Sequence, residues 1–126
     1  MITRDDIIKK AMELEFVDVG FTSAEPFNEH RDMLTKRMDD YGWAEDAGLA
    51  LMSGTDPASI LEGAKTVIVL LEGYFRKAFP ASMEQNFGRC YLDDDRVTKD
   101  GLATRIKAFR GFLRDNGIDS KVPFNL

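Results

Sequence analysis

Six aliphatic or β-branched residues in unbroken succession, TVIVLL from Thr66 to Leu71, constrain this chain more than any other stretch. A half-exposed strand alternates polar and apolar side chains, whereas a continuous run reads as a strand covered on both faces and central in its sheet. What precedes it is equally directive. In DPASILEG, Asp56 is a good helix N-cap, Pro57 suits the first helical position and Gly63 suits the left-handed residue that stops a helix. The spacing therefore predicts a short capped helix turning into a buried strand.

The flanking segments supply the layers that such a strand needs. Thr3 with Asp6 forms a short-armed capping box, and Ile7, Ile8, Ala11, Met12 and Leu14 recur at helical spacing, which predicts a first helix over about Asp5 to Glu15. In FVDVGFT, Val17, Val19 and Phe21 alternate with Asp18, Gly20 and Thr22, the period of a strand with one inward face. Pro26 and Asn28 open a second helix ending near Gly42, with Phe27, Leu34, Met38 and Tyr41 on one stripe and His30 or Arg31 in the gap. Thr98 caps a third, whose stripe is Leu102, Ile106, Phe109 and Leu113 and which stops at Asn116 and Gly117. IDSKVPF reads as a closing strand, with Pro123 favouring its end or a sheet edge. The expected architecture is an α+β domain spanning 1–126, a small mixed sheet with a central buried strand packed by three long helices and one short helix. Between Arg76 and Val97 no period is sustained, and a loop of that length inside a compact domain is usually functional, mobile or completed by a partner.

Composition limits the chemistry. With 126 residues, 44% hydrophobic and 31% charged, the chain has the make-up of a globular domain. A formal charge of -5 argues against a general phosphate-backbone binder. No apolar run reaches the roughly 20 residues of a membrane helix, and the charged N-terminus is unlike a signal peptide, so a cytoplasmic protein without membrane contact is expected. Cys90 is the sole cysteine and His30 the sole histidine, too few for an internal disulfide, the four thiolates of an iron–sulfur cluster or a zinc site of the usual composition.

Individual candidates have plainer readings beside them. Cys90 next to Arg89 is a candidate nucleophile or ligand, or a small loop residue. His30 is a candidate acid or base, or a packed or capping side chain on the helix. Asp93, Asp94 and Asp95 offer oxygen ligands but lack the spacing and glycine of a calcium loop, and read more simply as a solvated turn. Gly42 and Trp43 shape a ligand rim, or Trp43 is a core or surface-anchoring side chain. Lys99, Arg105, Lys107, Arg110 and Arg114 decorate the third helix as a solvated face or as the contact of an anionic partner. Phosphate-cradling glycine motifs and the serine-hydrolase elbow are absent.

Three segments carry a likeness: MELEFVDVGFTSAEPF, DPASILEGAKTVIVLLEGY and GRCYLDDDRVTKDGLATRIKAFRGFL. Together they resemble the N-terminal domain of the epoxyqueuosine reductase family, corrinoid and iron–sulfur proteins related to reductive dehalogenases. The resemblance implies the N-terminal domain of an oxidoreductase, forming part of a cofactor and substrate cavity and inactive alone. Cobalamin and two 4Fe-4S clusters would belong to the full-length protein, the clusters in a C-terminal ferredoxin-like region acting as partner. Its substrate would be a tRNA or a small molecule. Arg89 and Tyr91 match the family's Arg-Tyr loop and are the implied cofactor-edge contacts. The apolar end VPFNL fits a chain cut from a longer protein, whose fragment could pair as a homodimer. The chain departs from the pattern in two places: where the family has its general-acid aspartate, SKVPFNL offers Val122 or Asn125, with Asp119 too early, and the Tyr-His pair after the Arg-Tyr loop is replaced around DDRVT. The alternative is a self-contained, non-catalytic ligand-binding or interaction domain.

Overall fold

The computed structural model describes residues 1–73, 79–88 and 101–123. Over these the chain is α+β: α1 (Arg4–Glu13), β1 (Asp18–Ser23), α2 (Asn28–Lys36), α3 (Met38–Tyr41), α4 (Trp43–Asp46), a 3₁₀ turn (Ser53–Thr55), α5 (Pro57–Ile60), β2 (Thr66–Leu71), α6 (Ala81–Glu84) and α7 (Leu102–Asp115). Two compact units divide it, one made of Met1–Gly20 with Val69–Asp119, the other of Phe21–Ile68 with Ser120–Leu126.

In the first unit the capping box at Thr3 is formed on both sides. The Asp6 amide donates to Thr3 Oγ1 at 3.2 Å while the Thr3 amide and hydroxyl donate to Asp6 Oδ2 at 2.8 and 2.6 Å. The far end of α1 closes as a Schellman motif, with the Phe16 amide donating to the Ala11 carbonyl at 3.1 Å and the Glu15 amide to Met12 at 2.9 Å. That closure turns Phe16 back onto the helix. Ile7, Ala11, Phe16, Val19, Phe109 and Leu113 are buried together as the core of this unit, with the Phe16 and Phe109 rings edge to face at 6.3 Å. Burial of each large side chain contributes about 2–3 kcal/mol, and the ring geometry about 1 kcal/mol more.

The second unit has a polar hub. Thr55 is 1% exposed; its hydroxyl donates to the Met52 carbonyl at 2.7 Å and accepts from Arg31 Nε at 3.2 Å, and its carbonyl accepts the Phe27 amide at 2.8 Å. Every polar atom that leaves water here finds a partner of the backbone or of Arg31, which is the condition for burying it at small cost. Asp56 caps α5 through the Ala58 amide at 3.1 Å, Pro57 sits at its start, and Gly63 takes φ +73 beyond its end, as the sequence requires.

Several expectations of detail change. Among the described residues the sheet has two strands, β1 paired antiparallel with β2, so β2 is not a central strand of a mixed sheet. Val69 and Leu71 are 47% and 51% exposed, because aliphatic composition cannot itself supply a covering layer. Val17 likewise lies open, leaving Val19 as the buried residue of β1. The second long helix is broken at Arg37 and Gly42 into α2, α3 and α4. The third begins at Leu102 behind Gly101, which holds φ +93, while Thr98 lies outside the described residues. Residues 118–123, read as a strand, belong to no helix or strand. Pro123 and the lack of alternation in that stretch give a ladder little to recruit.

Candidate functional site

The segment between β2 and α7, read from the sequence as a loop, includes helix α6 and carries the residues singled out for chemistry. Arg89 and Tyr91, with Cys90 and Asp93, Asp94 and Asp95, lie outside the described residues. The structure does fix the two ends of that loop. Glu72 follows β2 directly and Arg105 stands in the first turn of α7; Arg105 Nη1 donates to Glu72 Oε2 at 2.9 Å and Nη2 to Oε1 at 2.6 Å. This bidentate pair is mostly sheltered, its side chains 12% and 24% exposed. Arg105 Nη1 also reaches the Leu14 carbonyl at 3.4 Å, capping the end of α1, and the guanidinium lies 5.2 Å from the Phe16 ring centre. A fork of fixed donors can hold a carboxylate, a helix end and an aromatic face at once, which a lysine could not.

Arg105 therefore does not belong to a solvated basic face. Lys107, Arg110 and Arg114 are exposed, Arg114 with Asp115 at 3.7 Å, and Lys99 is outside the described residues. The inward turn of Arg105 was readable: it precedes Phe109 by four residues and Leu113 by eight, so it shares their buried stripe. Glu72, the residue sequence reasoning missed, had as its only signal a charge placed directly after an aliphatic strand.

The remaining candidates stand apart from that pair. His30 is exposed on α2, Trp43 is exposed at the start of α4, and Asp119 and Val122 are exposed beyond α7, while Asn125 lies outside the described residues. A groove of about 640 Å³ runs between α1 and the end of α7, lined by Met1, Asp6, Lys9, Glu13, Phe112 and Asn116 among others. It is wide open, and its lysine Lys10 is already engaged with Glu13 at 3.3 Å and with the Phe112 ring at 5.8 Å. Hydrogen bonding from the Thr3 hydroxyl and then the Thr3 amide holds the Asp6 carboxyl below the usual carboxylate range, which makes it a cap and a poor proton donor at neutral pH.

No family model, curated protein or solved structure matches this chain.

The donor set does not fit an iron–sulfur cluster, since one cysteine and one histidine cannot supply its ligands. Among the described residues no three His, Cys, Asp or Glu side chains gather as a metal site. No helix among them is long and apolar enough to cross a membrane.

Proposed function

We propose that this chain is the N-terminal domain of an epoxyqueuosine reductase-like iron–sulfur oxidoreductase, a scaffold that walls part of a cofactor and substrate cavity and is inactive by itself. The observation that carries the reading is the segment DPASILEGAKTVIVLLEGY, whose residues resemble the family's helix-turn-strand signature and fold here as capped α5, the Gly63 turn and β2. The Glu72–Arg105 pair adds support of a different kind. By joining residues 33 apart it closes the loop that bears Arg89 and Tyr91, so both would be presented from a fixed base. In this reading Arg89 supplies a permanent positive charge and Tyr91 a hydroxyl donor at the edge of cofactor or substrate. In this reading the clusters, which would pass single electrons, are held by other polypeptide, a reading that the single cysteine and single histidine of this chain support.

Titration of the whole gene product with cobalamin, followed by visible absorbance, tests the reading. A spectral change that saturates, weakened in Arg89→Ala and Tyr91→Phe, is expected. An unchanged spectrum, together with a coding region free of C-x-x-C-x-x-C sequences, would remove it in favour of a non-catalytic interaction domain.

A further inference from the structure

The Ala24 amide donates to the Lys65 carbonyl at 3.1 Å, so the stretch from Glu25 to Ala64, most of the second unit, leaves and returns at one backbone hydrogen bond. A segment whose ends are tied together can lose its interior structure without pulling its flanks apart. Whether it does so depends on what holds that interior.

Burial holds it weakly. Between Glu25 and Ala64 only Ala44, Thr55 and Pro57 are buried, and none of them is a large apolar side chain. Leu34, Met38, Met52 and Ile60 are half-buried, while Phe27, Met33, Tyr41, Trp43, Leu49 and Leu51 lie 37% to 62% exposed. The first unit by contrast buries Ile7, Phe16, Val19, Phe109 and Leu113, each 9% exposed or less. Helix propagation adds little either. α2 has nine residues and α3, α4 and α5 four each, short of the length at which a helix holds by itself, about a dozen residues. No side chain caps α2, α3 or α4, whereas α1 has its capping box.

Polar bonds do what burial does not, and they converge on Thr55. Its hydroxyl accepts from Arg31 Nε, 24 residues away in α2, and its carbonyl accepts the Phe27 amide at the start of that helix. The same hydroxyl donates to the Met52 carbonyl, and the Met52 amide donates to Glu45 of α4 at 2.9 Å. Ser59 of α5 donates to the Ser53 carbonyl in the 3₁₀ turn at 3.2 Å. Four elements are therefore joined through one short run of residues, and bonds so linked are lost together.

We propose that the segment from Glu25 to Ala64 is a conformational device: it opens and recloses as one cooperative unit while α1 and α7 stay folded, and Thr55 is the latch that holds it shut. Residues with few buried apolar contacts form the low-stability end of a native fold, from which moving parts are drawn. This stands independently of the oxidoreductase reading.

Hydrogen exchange of the intact protein, followed by mass spectrometry on its peptides and corrected for intrinsic rates, tests the device. Amides bonded within α2 to α5 are expected to exchange at least about a hundredfold faster than those in the middle of α1 and α7, through an opening that urea promotes less steeply because it exposes less surface. Thr55→Val keeps the shape, removes the hydroxyl and leaves Arg31 Nε and the Met52 carbonyl without it, so exchange within α2 to α5 should rise about tenfold. Phe109→Leu, in the core of the first unit, should speed α1 and α7 and leave α2 to α5 unchanged. Equal protection of the two units, or a Phe109→Leu effect as large in α2 to α5 as in α1 and α7, would mean a single cooperative fold and overturn the proposal. Unchanged exchange in Thr55→Val would overturn the latch.

Discussion

Glu15 holds φ 63, the left-handed conformation that costs an L-residue about 1–2 kcal/mol, at the position where a Schellman closure usually has glycine. Gly117 holds φ 78 in the corresponding place after α7, with its amide donating to Arg114 and that of Ile118 to Leu113, both at 2.9 Å. One motif with two occupants gives predictions of opposite sign. Glu15→Gly should raise stability to urea by about 1 kcal/mol, and Gly117→Ala, whose β-carbon would meet open space, should lower it by about 1 kcal/mol through strain alone. Asp6 gives a pH dependence. Its carboxyl is lowered by the Thr3 hydroxyl and amide, so the cap stabilises above the ordinary carboxylate pKa and is lost as pH falls through the depressed value. Thr3→Ala should therefore be less stable than the native protein at neutral pH, with the gap closing on acidification in parallel urea titrations.

The Glu72–Arg105 pair acts between elements, joining the end of β2 to α7 and α7 to the end of α1. Glu72→Gln keeps the shape and removes the charge, so it should cost about 1–3 kcal/mol and increase protease cleavage within the loop it closes. Unchanged cleavage would mean that the loop is held elsewhere. This scale also shows what the sequence could tell. The caps at Thr3, Asp56 and Pro57 and the stops at Gly63 and Gly117 were legible because each is decided by residues a few positions apart. The α7 stripe was legible too, since Phe109 and Leu113 repeat at helical spacing and are buried. What covers TVIVLL was not, because burial of a strand depends on layers that its own residues do not name. The break at Gly42 was missed for a related reason: a glycine at a helix end and a glycine at a joint between helices look alike until the Met38 carbonyl is seen against it. Of the candidate site, Arg89 and Tyr91 lie outside the described residues, and the Glu72–Arg105 partnership across 33 residues carried no local signal.

For the whole molecule, the account is a division of labour. One cysteine and one histidine fall short of the four ligands a cluster normally takes, while the sheltered Glu72–Arg105 pair ties together the two ends of the segment that contains Arg89 and Tyr91. In the proposed reading, electrons are carried by groups bound elsewhere in the protein, and this domain shapes the place where they are used. Anaerobic purification of both the whole gene product and residues 1–126, with iron content and visible absorbance measured side by side, tests that division. The account predicts iron and cluster absorbance in the whole product and neither in residues 1–126. A whole product without iron, or residues 1–126 that carry a cluster unaided, would contradict it.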